Sequence, residues 1–194
     1  RQGVHKSPTG AYFFWVKTNQ ADIEIKDDYG NTALLWAARQ GGTKAVKALL
    51  SAGADLHAQT NSGWQALTQA AYHGKVDTLK VLQIAGAAVD GKDKIGWTAS
   101  LWAAAQGHVE ILSFLKSAGA DLAVTGAGGW TPLMVAVAED RVAAAKYLLR
   151  RGVSWRTLTD QGKTCEEIGC ERNPAGELCE LFGNMRRSVE YEEK

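Results

Sequence analysis

The fold is decided by residues 93–121, which read DKIGWTASLWAAAQGHVEILSFLKSAGAD. A polar turn containing Gly96 opens this stretch, and an alanine-rich helix is predicted from Thr98 to Gln106. Gly107 interrupts the chain before a second predicted helix, Val109 to Ser117, which carries larger apolar side chains. Two helices of about nine residues cannot bury a core by themselves, so the stretch needs similar neighbours on both sides.

Such neighbours recur with a period of 33 residues. Glycine opens each turn, at Gly30, Gly63, Gly96, Gly129 and Gly162. A second series of glycines closes the outer helices, at Gly53, Gly86, Gly119 and Gly152. Glycine suits this place because a residue with a Cβ resists the left-handed conformation that ends many helices. Threonines are predicted to cap the inner helices: Thr32, Thr98, Thr131 and Thr164.

The segments between the two glycine series recur as well. Leu34–Ala38, Leu67–Ala71 and Leu101–Ala104 all place a leucine before a pair of alanines. Together these motifs resemble the ankyrin repeat over roughly residues 10–180. The resemblance implies an all-α fold, an ankyrin-repeat solenoid of stacked antiparallel helix pairs with finger-like turns and almost no strand. It also implies a protein-binding role.

The period divides the chain into repeats flanked by caps. Residues 1–26 are predicted to form an N-terminal arm with a half-repeat cap at 7–19. Four repeats follow, at 27–59, 60–92, 93–125 and 126–158. Residues 159–187 are predicted to form a degenerate capping repeat, and the charged residues 188–194 to fray.

Charge and cysteine content narrow the functional classes. The formal net charge is only +1 at pH 7, so no basic field favours nucleic-acid binding. No apolar stretch approaches the length of a membrane span, although peripheral association with a membrane complex is compatible with the sequence. Cys165, Cys170 and Cys179 have no histidine nearby and are predicted to be reduced thiols rather than a zinc site. Reduced thiols fit an intracellular location, either cytoplasmic or organellar.

Nothing in the sequence favours catalysis, so we expect a protein that is not an enzyme and holds no cofactor and no metal. The glycines follow the structural period and do not cluster as a phosphate-binding loop does. The acidic pair Asp27–Asp28 is interpreted as solvated in an exposed turn. The chain begins at Arg1, which is expected if a targeting segment has been removed or if the chain is part of a longer protein.

The candidate binding residues follow from the resemblance. In ankyrin repeats, the residue after the turn glycine and the two before the next glycine face the concave binding side. At the first of these positions stand Trp64, Trp97 and Trp130, about 10 Å apart if the helix layers have their usual spacing. The further candidates are Tyr29, Ile95, Arg39, Tyr72, His73 and Gln106.

Two interpretations of the three tryptophans stay open. Each indole either packs over its own turn as a structural cover or belongs to a binding stripe, since tryptophan and tyrosine are enriched among interface hot spots. Trp36 and Trp102 lie inside predicted inner helices, and for them core packing is predicted.

Three functions fit this picture. The first is a scaffold that binds one or more proteins on its tryptophan-lined concave face. The second is a structural accessory subunit held permanently in a larger multi-subunit assembly, organellar assemblies included. The third is a regulatory domain of a larger enzyme. The sequence does not identify a partner.

Overall fold

The computed structural model describes residues 22–192, with side chains as far as Ser188. The half-repeat predicted at residues 7–19 lies outside these residues. The described part contains ten α-helices and no strand, which confirms the predicted all-α class. The helices are α1 Ala33–Gln40, α2 Thr43–Ser51, α3 Ala66–Tyr72, α4 Val76–Ile84, α5 Ala99–Gln106, α6 Val109–Ser117, α7 Pro132–Ala138, α8 Val142–Arg150, α9 Cys165–Arg172 and α10 Glu177–Glu192.

The described residues divide into two compact units, 22–88 and 89–192. In the first unit, the inner helices α1 and α3 pack on each other, and so do the outer helices α2 and α4. In the second unit, α5, α7 and α9 form the inner row, α6 packs on α8, and α10 packs on α9. Within residues 22–192, no helix combines the length and the apolar character needed to cross a bilayer.

The inner helices are thin where they meet. Ala70 and Ala71 in α3, like Ala103 and Ala104 in α5, are fully buried. Short side chains allow neighbouring helices to approach closely, while leucines on the outer helices, such as Leu79, fill the space between layers. The same arrangement, small residues on the inner helices and leucines on the outer ones, occurs in both units. It explains how repeats of only two short helices can bury a core.

Three of the four predicted threonine caps are present. The hydroxyls of Thr32, Thr131 and Thr164 each accept a hydrogen bond from a backbone N–H in the first turn of the helix that follows. The prediction for Thr98 is wrong, because its side chain makes no capping hydrogen bond. Its hydroxyl instead lies 2.8 Å from that of buried Ser100. A nearby hydroxyl has therefore replaced the helix N–H as the partner.

The turn between α7 and α8 departs from the glycine pattern. The corresponding turns of the three preceding repeats place a glycine in the left-handed region, at Gly41, Gly74 and Gly107. The fourth places Asp140 there, with a φ of 54°, and no other described residue except glycine has a positive φ. An L-residue with a side chain is strained in this conformation.

Replacing Asp140 with glycine should therefore raise the free energy of unfolding by about 0.5–1 kcal/mol, the relief of strain being partly offset by backbone entropy. Urea denaturation followed by far-UV circular dichroism measures the change. Glu139→Gly is the matched control, because Glu139 has an ordinary φ of −91° and its replacement should destabilise. Equal effects of the two variants would contradict the strain assigned to Asp140.

The C-terminal helices correct two predictions. Cys170 in α9 and Cys179 in α10 form a disulfide, so the prediction that all three cysteines are reduced thiols is wrong. The pairing of α9 with α10 brings two cysteines nine positions apart to a Cα–Cα distance of 4.7 Å. Cys165 remains a buried thiol, and burial raises its pKa to about 12. Residue 188, where fraying was predicted to begin, lies inside α10, which continues to Glu192.

Candidate functional site

The finger-like turns hold the candidate tryptophans by their backbone. In repeat two, Thr60 Oγ1 accepts a hydrogen bond from the backbone N–H of Trp64 at 3.0 Å. In repeat three, Asp93 Oδ1 accepts one from the backbone N–H of Trp97 at 2.8 Å. Each turn is also closed by a backbone hydrogen bond between the same two residues. The first residue of the turn therefore fixes where the tryptophan emerges.

The aspartates at the start of two turns also hold a second tryptophan. The indole N–H of Trp36 donates to Asp27 Oδ2 at 2.8 Å, and that of Trp102 donates to Asp93 Oδ2 at 2.9 Å. Trp36 and Trp102 are half-buried, so the prediction that they pack in the core is wrong. The reason is the indole N–H, which needs a polar partner and finds it at the rim of the helix row.

Asp27 is likewise not the solvated acid that was predicted. Burial raises its pKa, but the N–H groups of Asn31, Trp36 and Tyr29 that donate to its carboxylate outweigh this effect, so the pKa lies below the usual value of 3.8. The sequence did contain a signal for this contact, because aspartate and tryptophan recur nine positions apart in repeats one and three.

The depressed pKa of Asp27 predicts an acid-dependent loss of stability. The unfolded state binds the proton at a higher pH than the folded state, so the contribution is complete above the unfolded value of 3.8 and is lost as the pH falls through the folded pKa. We expect the difference in unfolding free energy between wild type and Asp27→Asn to shrink in this acid window. Urea denaturation between about pH 2.5 and pH 7 measures it, and Asp28→Asn is the control, because Asp28 is exposed. A difference independent of pH would contradict the prediction.

A groove of about 1520 Å³ opens in the first unit and brings together five predicted site residues. These five are Tyr29, Arg39, Trp64, Tyr72 and His73. Its apolar floor includes Ala33, Ala37, Ala45 and Leu49, and Trp36, which the sequence interpretation assigned to the core, lines it as well. The exposed surface of the lining is mostly apolar, with polar and charged side chains around it, and this combination is usual in binding sites.

The aromatic rings of the groove contact one another. The ring centroids of Trp64 and Tyr72 lie 5.1 Å apart, and those of Tyr72 and His73 lie 5.0 Å apart. On α1, the guanidinium carbon of Arg39 lies 4.9 Å from the centroid of the Trp36 ring. Tyr29, at the tip of the first turn, is 75% exposed. The groove therefore offers flat apolar surfaces beside the guanidinium of Arg39.

The other four predicted residues lie in the second unit. Trp97 and Trp130 are half-buried and pack on a cluster formed by Leu101, Ala105 and Val135. Trp97 also packs against Trp102, with 4.5 Å between ring centroids and a tilt of 50° between the rings.

At the edge of this second surface, Ile95 is exposed and Gln106 is half-buried at the end of α5. Each indole thus packs on neighbouring side chains and keeps part of its surface exposed, and the binding stripe stays a prediction.

The arrangement suits recognition better than chemistry. Among residues 22–192, no three histidine, cysteine, aspartate or glutamate side chains are placed to hold a metal ion. The remaining free thiol, Cys165, is buried, and a raised pKa makes it a poor nucleophile. The groove presents flat rings and a guanidinium, which can bind a partner's side chains by stacking, burial and charge.

Comparison with known proteins agrees with the helix pairs. A family model described as ankyrin repeats (3 copies) matches residues 9–93 and residues 67–157, which together span most of the chain. No curated protein matches the sequence. Ankyrin repeats are protein–protein interaction domains and are typically not catalytic. On the repeat pattern, the packed helix pairs and this match, the chain belongs to the ankyrin-repeat family.

Proposed function

We propose that the chain is a non-enzymatic scaffold that binds a protein partner through the groove of its first unit. The observation that carries this proposal is the meeting of Trp64, Tyr72, His73, Arg39 and Tyr29 around one apolar floor. Aromatic and arginine side chains dominate binding energy when a partner buries them. A groove of this composition exposes surface that such a partner would cover.

The tryptophans of the second unit are proposed as a further contact surface. Trp97 and Trp130 rest on a shared apolar cluster, which holds their rings in place before a partner arrives. Rings that are already ordered lose little conformational entropy on binding. Ile95 and Gln106 extend this surface, and Ile95 is 52% exposed.

The test replaces one tryptophan at a time. Peptides are first selected from a random library on the full chain, and dissociation constants are then measured by titration. Trp64→Ala should weaken binding by about 2 kcal/mol, which is roughly 30-fold, because it removes a ring that the partner buries. Trp97→Ala reports on the second unit in the same way.

Trp155→Ala is the matched control. Trp155 is also half-buried, but it packs near Phe182 at the C-terminal helices, with 6.2 Å between ring centroids. It should lower stability and leave affinity unchanged, and a melting curve for each variant separates the two effects. Unchanged affinity in both Trp64→Ala and Trp97→Ala would refute the aromatic surfaces.

A permanently bound accessory subunit is the second candidate, and one observation favours it. Ile84, at the end of the outer helix α4, is 82% exposed, and Ile25 is 62% exposed. Neither side chain lines the groove, and a neighbouring subunit that packed on either of them would remove its apolar surface from water. Native mass spectrometry of the purified protein tests this, since a permanent subunit copurifies with its neighbours at fixed stoichiometry.

A further inference from the structure

Repeats one and three provide an internal comparison at the groove. Both contain the same pair, an aspartate that accepts a hydrogen bond from a tryptophan indole. They differ in what lies next to the ring. In repeat three, the tilted ring of Trp97 packs against the ring of Trp102. In repeat one, the position that corresponds to Trp97 is occupied by Asn31.

Asn31 is held by hydrogen bonds of its own. Its side-chain amide donates to the two carboxylate oxygens of Asp27, at 3.2 and 3.1 Å, and its Oδ1 accepts from Gln69 Nε2 at 3.4 Å. Asn31 is also short and only 5% exposed, so it provides no aromatic cover for the ring of Trp36. That ring faces the groove without the indole that covers its counterpart in repeat three.

The second difference is a cation. Arg39 lies over the ring of Trp36, whereas the corresponding residue of repeat three is Ala105. Arg39 makes no ion pair with any residue between 22 and 188. Asp27, the acid bound to the Trp36 indole, already accepts hydrogen bonds from Tyr29, Asn31 and Trp36.

The charges of the groove are separated. Its acidic side chains, Asp27 and Asp28, belong to the finger-like turn. Its basic side chains, Arg39 at the end of α1 and Lys44 at the start of α2, form what we call the helical end of the groove. Lys44, like Arg39, has no ion-pair partner in the described part of the chain. A ligand that complements the helical end must therefore bring negative charge.

Building on the proposed function, we infer that the groove selects a partner segment in which an aromatic residue stands beside an aspartate or glutamate. The partner's ring covers Trp36, as Trp97 covers Trp102 in repeat three. Its carboxylate pairs with Arg39, whose guanidinium lies over the Trp36 ring and can still donate hydrogen bonds to a partner. The contact with the indole orders the guanidinium in advance, which lowers the entropic cost of the ion pair.

The experiment uses the full chain and the random peptide library as the probe. Enrichment of aromatic–acidic pairs is the first expected result. In a selected peptide, replacing the acidic residue by its amide should weaken binding to wild type about tenfold, the effect of losing a charge-assisted hydrogen bond in a partly desolvated site. The same replacement should have no effect on binding to Arg39→Gln.

Two variants sharpen the result. Asn31→Trp supplies the indole that repeat three contains, so it should fill the place of the partner's ring and block binding, while circular dichroism confirms the fold. Lys47→Gln is the charge-matched control, because Lys47 is exposed on α2 and does not line the groove. It should leave the dissociation constants unchanged.

The outcomes separate this inference from the function on which it rests. One contrary result is a set of selected peptides that bind Trp64→Ala more weakly than wild type and yet contain no excess of aspartate or glutamate. That result would overturn the inference and leave the groove as the binding site. The inference would also be overturned if replacing the peptide's acidic residue by its amide weakened binding to wild type and to Arg39→Gln equally. Peptides whose affinity is unaffected by Trp64→Ala and Asn31→Trp alike, or a library without groove-binding peptides, would count against the groove itself.

Discussion

Replacing Gly30 with alanine should lower the free energy of unfolding by about 3 kcal/mol, from backbone strain and the loss of about two hydrogen bonds. Gly30 has a φ of +80°, and a Cβ placed on it would lie 2.6 Å from the backbone nitrogen of Asn61. That nitrogen donates to Tyr29 O at 2.9 Å, and Asn61 Nδ2 donates to Asp28 O at 2.9 Å. The new methyl group must displace the contact that joins the first two turns.

Gly53→Ala separates crowding from backbone strain. Gly53 has a similar φ of +89°, but nothing lies within 4 Å of the position that a Cβ would take. It should cost only about 1 kcal/mol, the price of the left-handed conformation. Urea denaturation of both variants measures the difference, and equal losses would show that the contact between turns contributes nothing to stability.

Removing the disulfide should have an effect of similar size. It closes a short loop between α9 and α10, and loss of such a cross-link costs about 2–3 kcal/mol, mainly because the unfolded chain gains entropy. Cys170→Ser and Cys179→Ser should each show this loss at the C-terminal helices. Denaturation followed by hydrogen exchange of α9 and α10 measures it.

The thiol content provides the control for this prediction. Denaturing the non-reduced protein should expose one reactive thiol, that of Cys165, which is buried in the fold. Cys165→Ala should then have no reactive thiol, and reducing agent should still lower its free energy of unfolding. Reducing agent should have no such effect on Cys170→Ser, which lacks the disulfide. Three reactive thiols in the non-reduced denatured protein would refute the cross-link.

The helices were predictable because their signals are local. The second helix of the opening stretch was predicted at Val109 to Ser117 and has those bounds. Gly107 ends the helix before it, and Gly119 follows its last turn, both with a positive φ. A glycine with a positive φ specifies the end of a helix without reference to distant residues. The glycines after the outer helices, including Gly53 and Gly86, do have positive φ values, which confirms that prediction.

The site was predictable only in part, because its contacts depend on tertiary geometry. The family resemblance selected Trp64, Tyr72 and Arg39, and these do line one groove. It missed the bond between Asp27 and Trp36, since neither residue belongs to a position that the family pattern marks. A hydrogen bond across nine positions forms only when the turn and the helix fold back on each other.

The disulfide was missed for the same reason. Cys170 and Cys179 show no metal-like or secreted-protein spacing, and their bond requires the pairing of α9 with α10. At Thr98 a local rule predicted a contact that does not form. The threonine hydroxyl was expected to cap the helix, but it makes a hydrogen bond with the hydroxyl of Ser100 instead. The local rule failed there because a second hydroxyl, that of Ser100, competed for the same hydrogen bond.

The two hydrogen bonds between an aspartate and an indole also give the protein two NMR signals that report on its own structure. The indole N–H groups of Trp36 in the first unit and Trp102 in the second each donate to a carboxylate. A charge-assisted bond of this kind should move the indole proton resonance downfield and slow its exchange with water. Each half of the molecule thus carries an intrinsic sensor, which a spectroscopist can follow during acid titration or ligand addition without attaching any label.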